Sequence, residues 1–222
     1  MEWLFDFFGY VGVITGFPFQ WIFFAHKVYY EDKKVQGRHI KGGALLISNH
    51  YSPFDYVSTA GLLFPRKPDV VASEHAYKNK LQAFGMKFWG GIKCDRRIKS
   101  MRFVSESIKR IQRGRIVLIF PEGHNTPDGT IKDFYASYIL IALRANCPII
   151  PIVSDGNYSL FKRLHVIIGK PIWLRDYLDH EKYNKDDVIR LNEMVRNHVL
   201  ELREDLDRRV EADRLRKRKV VN

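Results

Sequence analysis

The sequence predicts an α/β domain: a largely parallel sheet flanked by helices, with an N-terminal apolar helical segment that associates with membrane and a C-terminal amphipathic helix. Three observations carry this. Short apolar runs alternate with stretches of helical period through the middle of the chain, the opening is dense in Phe and Trp, and the end carries one long apolar stripe. The implied boundaries are 1–30 for the apolar segment, 31–184 for the α/β domain and 185–222 for the basic amphipathic helix.

Trp3 to Ala25 contains a single charged residue, Asp6, and ten Trp, Phe and Tyr side chains. As one helix it would reach roughly 34 Å, enough to cross a bilayer. Gly9, Gly12, Gly16 and Pro18 argue instead for two short apolar helices meeting near Gly16-Phe17-Pro18 and dipping into one leaflet, the alternative being a hydrophobic flap packed on the domain. Glu2 stands where a signal peptide would be basic, and no small-residue cleavage site follows. Lys27, Lys33 and Lys34 then keep the following domain on the cytoplasmic side.

Ala44 to Ser48 reads as a buried strand. The next stretch, Asn49-His50-Tyr51-Ser52-Pro53-Phe54-Asp55, reads as a turn into a helix, with Ser52 as N-cap and Pro53 in the first helical position. Helix continues from Phe54 to Phe64. Asp69 to Ser73 is a second strand, Ala76 to Phe88 is helical at its start, and Gly90 to Arg97 contains a short strand ending in a basic pair. Met101, Val104, Ile108 and Ile111 share one helical face, which Gly114 ends. Arg115 to Phe120 is the most apolar strand. Phe134 to Ala145 is a buried helix, and Pro148 to Val153 and Leu164 to Ile168 complete the sheet.

In such sheets ligands bind beyond the carboxyl ends of the strands. His50, Arg96, Glu122 and the turn Ser154-Asp155-Gly156 each follow a strand, so one cleft could collect them. From Val188 through Leu191, Val195, Val199, Leu202 and Leu206 to Val210, apolar residues recur at steps of three or four. The basic run Arg214 to Lys219 is either a solvated terminus or a contact for anionic lipid.

The formal net charge of +12 predicts attraction to polyanions without choosing among them. A specific nucleic-acid binder is disfavoured because the aromatics concentrate in the apolar opening rather than along a basic stripe. A serine hydrolase is disfavoured by the lack of a GxSxG element. Cys94 and Cys147 form no CxxC pair and read as reduced thiols within core segments.

His50 and Asp55 are the residues with chemistry in their spacing. A histidine on a strand-to-helix turn can take a proton from a hydroxyl while a carboxylate in the following turn fixes its tautomer. A helix cap with an incidental histidine would read the same in isolation. Further blocks decide between them: Asn49-His50 with Asp55 forms NHxxxxD, Gly91 to Arg96 forms a glycine-to-DR strand, Phe120-Pro121-Glu122-Gly123 forms FPEG, and Ile149 to Val153 surrounds Pro151. In this order the blocks resemble the glycerolipid acyltransferase family, whose best-known members are the 1-acyl-glycerol-3-phosphate acyltransferases.

The resemblance implies transfer of a fatty acyl group from a thioester, acyl-CoA or acyl carrier protein, to a glycerol hydroxyl, with membrane lipid as the partner. His50 would be the base and Asp55 its partner. Backbone amides near the helix start would hold the oxyanion. Asn49, Arg96, Arg97, Lys93, Glu122 and Gly123 would bind substrate, Arg96 taking the acceptor phosphate through its N–H fork. Glu122 would either orient the acceptor or make a structural hydrogen bond within the site. No metal and no cofactor beyond the acyl donor is expected. One departure stands out: where many members follow FPEG with a small hydroxyl residue and an arginine, this chain has His124 and Asn125, with Lys132 and Arg97 as replacement cations.

Overall fold

The computed structural model describes residues 4, 7–12, 14–16, 25–95, 101–158 and 163–221. Seven strands form one sheet: β1 (His26–Tyr30), β2 (Ala44–Ser48), β3 (Asp69–Ser73), β4 (Ile92–Cys94), β5 (Ile116–Ile119), β6 (Ile149–Ser154) and β7 (Leu164–Ile168). Their spatial order is β1-β7-β6-β2-β5-β3-β4. Every neighbouring pair is parallel except β6 and β7, which run antiparallel, the connection of residues 155–163 being shorter than a parallel crossover requires.

After β1 the described residues form five helices, α1 (Asp55–Leu62), α2 (Lys80–Phe88), α3 (Arg102–Gln112), α4 (Ser137–Ala145) and α5 (Lys185–Val221), of which α1, α3, α4 and α5 pack on the sheet. The central strands are apolar along their whole length because both faces are covered. Along β2, Leu45 and Ile47 enter the core cluster shared with α3, α4 and α5, while Ala44 and Leu46 enter the one shared with α1. Leu191, Val195, Val199, Leu202, Leu206 and Val210 of α5 are buried in the first cluster, so this helix covers one face of the sheet. Its start is fixed by a reciprocal cap: Asp187 N–H donates to Asn184 Oδ1 and Asn184 N–H to Asp187 Oδ2, both at 2.9 Å.

The opening of the chain differs from the sequence reading. Residues 26–30, assigned to the apolar segment, form the edge strand β1 in parallel register with β7. Residues 7–12 and 14–16 are helical, while the second short helix and the bend at Phe17-Pro18 fall outside the described residues. Among the described residues no helix is long and apolar enough to cross a membrane.

Parallel strands leave the carboxyl ends of β2, β3, β4, β5 and β6 on one edge of the sheet. The opposite end is tied by Asp69, fully buried at the start of β3, which accepts from Arg115 Nε and Nη2 at 2.5 Å and lies 3.3 Å from Arg110. Functional side chains therefore have one rigid edge on which to gather.

Candidate active site

Asn49, the residue after β2, is buried and pairs with the backbone of Ser154 at the end of β6. Its Nδ2 donates to the Ser154 carbonyl and its Oδ1 accepts the Ser154 N–H, both at 3.0 Å. The side chain thus extends the β2–β6 ladder by one rung and sets where His50 begins. The resemblance implies Asn49 as a substrate binder; in the structure its amide is bonded to the Ser154 backbone and holds the scaffold.

His50 is fixed at its backbone and at its ring. The N–H donates to Glu122 Oε1 at 3.1 Å, and the carbonyl accepts the Thr126 N–H at 2.6 Å and the Thr126 hydroxyl at 3.2 Å. The imidazole stacks on Phe120 with centroids 4.0 Å apart and planes 15° from parallel. Nδ1 lies 2.8 Å from Asp55 Oδ2. A proton on Nδ1 donated to that carboxylate leaves Nε2 as the basic nitrogen.

Asp55 is buried, and each oxygen has work. Oδ2 also accepts the Ser52 N–H at 2.8 Å, and Oδ1 accepts the hydroxyl of Tyr158. Burial, with the Asp55 charge beside it, holds the Tyr158 phenol well above its ordinary pKa, so it remains a donor. Nothing in the sequence pointed to Tyr158, which sits in a loop 103 residues further on.

The helix start differs from its sequence reading. The α-helix begins at Asp55 with Phe54 as N-cap and without a side-chain cap. Ser52 instead opens a tight turn, in which its carbonyl accepts the Asp55 N–H at 3.0 Å and its hydroxyl the Phe54 N–H at 3.3 Å. The amides of His50, Ser52, Phe54 and Asp55 are all spent in this way. Those four are therefore committed within the turn, and an oxyanion donor near the helix start, which the resemblance implies, would have to be another amide of the same stretch, such as that of Tyr56 or Val57 in the first helical turn.

Glu122 is fully buried. Its Oε1 takes the His50 amide, and Oε2 takes the Lys132 N–H at 2.9 Å and the Thr126 hydroxyl at 3.3 Å. Of the two roles open to it, the geometry supports the structural one: its carboxylate organises the loop that grips His50. Gly123 follows with φ of 74°, a left-handed conformation suited to glycine, and lines the neighbouring cavity.

That cavity, of about 580 Å³, opens beside the carboxyl ends of β3, β4 and β5 and the start of α4. Its lining is mainly apolar, with Val71, Phe103, Ile119 and Leu140 prominent. Phe120 forms part of its wall and is the ring on which His50 stacks. Cavity and His50 are thus separated by one aromatic side chain.

The basic residues distribute unevenly. Lys93 is not among the lining residues, although Cys94 and Asp95 are. Strand alternation turns Lys93 away, and its ammonium sits 5.9 Å from the centroid of the Tyr77 ring. Arg96 and Arg97 lie outside the described residues. A cation that the sequence did not suggest approaches from α5: Arg203 Nη1 donates to the Ser154 carbonyl at 2.9 Å and to the Tyr51 hydroxyl. Arg203 was legible only as a polar position on an amphipathic helix.

Residues 27–155 match the family described as Acyltransferase. The chain is 26% identical over 137 residues to the 1-acyl-sn-glycerol-3-phosphate acyltransferase of Limnanthes douglasii, covering 59% of this chain and 47% of that enzyme. It is 27% identical over 179 residues to the protein of the same name from Escherichia coli (strain K12), covering 76% and 70%. The chain thus spans about half the length of the plant enzyme it matches. The fold is also similar to that of the crystal structure of the 1-acyl-sn-glycerophosphate acyltransferase from Thermotoga maritima, with a TM-score of 0.58 at 20% identity, covering 88% of this chain and 78% of that one. Because the family match covers more than half of the sequence, from β1 through the His50 turn and FPEG to the end of β6, the chain belongs to the acyltransferase family.

Proposed function

We propose that this protein transfers a fatty acyl group from a thioester, acyl-CoA or acyl carrier protein, to the free hydroxyl of a lysophosphatidic acid-type acceptor in phospholipid biosynthesis. The observation that carries the reading is the position of the His50–Asp55 pair against Phe120, on the wall of an apolar cavity. The names of the relatives supply the acceptor class.

In this mechanism Nε2 of His50 takes the proton of the acceptor hydroxyl as its oxygen attacks the thioester carbonyl carbon. Asp55 stabilises the imidazolium that forms. The tetrahedral oxyanion collapses, the C–S bond breaks, and the departing sulfur recovers the proton from His50. The apolar cavity holds the acyl chain, with Gly123 allowing close approach at its rim. Arg96 takes the acceptor phosphate, and Arg97 and Lys132 are the nearest sequence candidates to assist. The apolar N-terminal segment brings the enzyme to a membrane surface on the cytoplasmic side.

His50→Ala should reduce turnover by roughly 10²-fold to 10⁴-fold while leaving the fold intact, because the side chain lies on a turn. The assay is thiol release with acyl-CoA and, separately, acyl carrier protein as donor. Near-normal activity in the variant would remove His50 as base. A second acceptor reading rests on Asn125, which stands where many members carry arginine. If product mass spectrometry shows preference for a lysolipid or polyol without a terminal phosphate, the acceptor assignment changes while the roles of His50 and Asp55 stand.

A further inference from the structure

Helix α2 carries an apolar stripe that the catalytic cleft does not use. Leu81 is 80% exposed and Phe84 50% exposed, one turn apart, and neither lines the cavity. The stripe continues through rings. Phe84 and Phe88 have centroids 4.8 Å apart, Phe88 and Phe8 6.4 Å, and Phe8 and Phe7 5.6 Å. On the N-terminal helix, Phe7, Phe8, Val11 and Ile14 are themselves exposed.

The two helices are pinned as one unit. Gly9 is buried so closely against the end of α2 that a Cβ there would stand 2.2 Å from the Phe88 carbonyl oxygen. Lys67, itself buried, donates to that same carbonyl at 3.0 Å and places its ammonium 6.0 Å from the centroid of the Tyr10 ring. The exposed side chains therefore share one surface rather than two independent faces.

Charge identifies what this surface meets. Residues 78–88 carry Lys78, Lys80 and Lys87, all exposed, and no acidic residue. Leucine and phenylalanine edged by ammonium groups suit a helix lying in an anionic lipid interface, with rings in the acyl layer and amines among phosphates. Protein interfaces, by contrast, are depleted in lysine. Position agrees: Ser73 lines the cavity, and the chain runs from it through the 3₁₀ turn Glu74–Tyr77 into α2.

We propose that α2 and the N-terminal helix together form a docking surface for an anionic bilayer, in which Leu81 and Phe84 enter the acyl layer while Lys78, Lys80 and Lys87 contact headgroups. The proposal rests on the acyl-transfer reading, since it is a lipid substrate that the surface would bring to the cleft.

The test is flotation of the full chain with vesicles of phosphatidylglycerol and phosphatidylcholine, and with phosphatidylcholine alone. The double variant Leu81→Asp/Phe84→Asp should lower partition into the anionic vesicles by at least about tenfold. Its far-UV circular dichroism and its turnover of short-chain, water-soluble substrates should match the wild type. The triple variant Lys78→Gln/Lys80→Gln/Lys87→Gln should lose most of the preference for anionic over neutral vesicles and most of the sensitivity to added salt, and a preference equal to that of the wild type would overturn the headgroup contacts. Wild-type partition by the double variant, or no vesicle binding by the wild type, overturns the proposal. A lipid-free dimer that the double variant breaks, with vesicle binding retained, would assign the surface to a second copy of the chain. Vesicle binding that depends on these residues in a protein with no acyl transfer would instead overturn the catalytic reading and leave the docking surface standing.

Discussion

The Tyr158 hydroxyl donates to Oδ1 of Asp55, the carboxylate whose Oδ2 lies against Nδ1 of His50. The charge that steadies His50 is therefore itself held by a buried phenol. A hydrogen bond to a charged group contributes roughly 1.5–3 kcal/mol. Tyr158→Phe should lower kcat about tenfold to a hundredfold, with KM for donor and acceptor within about twofold, because the phenol touches the orienting carboxylate rather than substrate. Initial-rate kinetics with each substrate varied check this. A kcat equal to the wild type would reduce Tyr158 to packing.

The parts of this site that the sequence revealed are local, and the parts that it hid are long-range. β2, β3 and β7 have the bounds read from the sequence, and β2, buried at every residue in the middle of the sheet, leaves the clearest apolar run. His50 and Asp55 were legible because a turn brings residues at that spacing together. Tyr158 and Arg203 were not: each reaches the site through tertiary contacts across more than a hundred residues, and neither has a local pattern. β1 was missed for a different reason. As an edge strand it mixes polar and apolar side chains, with Lys27 and Tyr29 both bonded to Asp213 of α5 while Val28 and Tyr30 pack into the core cluster beneath α1. Lys93 stands next to the DR block in sequence, but strand alternation turns it from the cavity that Cys94 lines and toward the Tyr77 ring.

Glu122 offers a sharper separation of structural and chemical roles. Its two oxygens accept from the His50 and Lys132 amides and the Thr126 hydroxyl inside a fully buried pocket. Glu122→Gln turns an NH₂ group toward at least one of these donors, and an unsatisfied buried donor costs about 1–3 kcal/mol. Urea denaturation should show a loss of that size. Because one of the displaced partners is the His50 amide, kcat should fall as well. A variant as stable and as active as the wild type would contradict the geometry.

The edge strand adds a pH dependence. Burial, assisted by the nearby Arg38 charge, lowers the pKa of His26 to about 4, and its Nε2 lies 2.8 Å from Ser58 Oγ. With a folded pKa below the unfolded value near 6.5, the unfolded chain binds more protons between these limits. Stability from this residue is thus fully present above about pH 6.5 and is lost as pH falls toward 4. Denaturation midpoints should decline over that window, and His26→Gln should flatten the decline by ~1–3 kcal/mol. An unchanged slope in the variant would place the titrating group elsewhere.

The cavity makes the most specific prediction, since Leu140 on α4 lines it while His50 and Asp55 do not. Each methylene transferred from water into an apolar site contributes about 0.8 kcal/mol, so excluding four methylenes from the cavity should cost about 3 kcal/mol, or roughly a hundredfold in kcat/KM. Leu140→Trp fills space without touching the His50–Asp55 pair. It should leave the use of short acyl donors near wild type, lower kcat/KM steeply for long ones, and leave acceptor KM unchanged. A series of acyl-CoA donors differing by two carbons measures the break point directly. Alkylation of Cys94, which lines the same cavity, should produce the same loss for long donors, whereas Cys147, whose thiol pKa burial pushes up to about 12, should resist the reagent in the native protein. Uniform loss across all chain lengths would mean that the cavity shapes the active site without holding the acyl chain, and unchanged kinetics would place the chain along another path from Phe120.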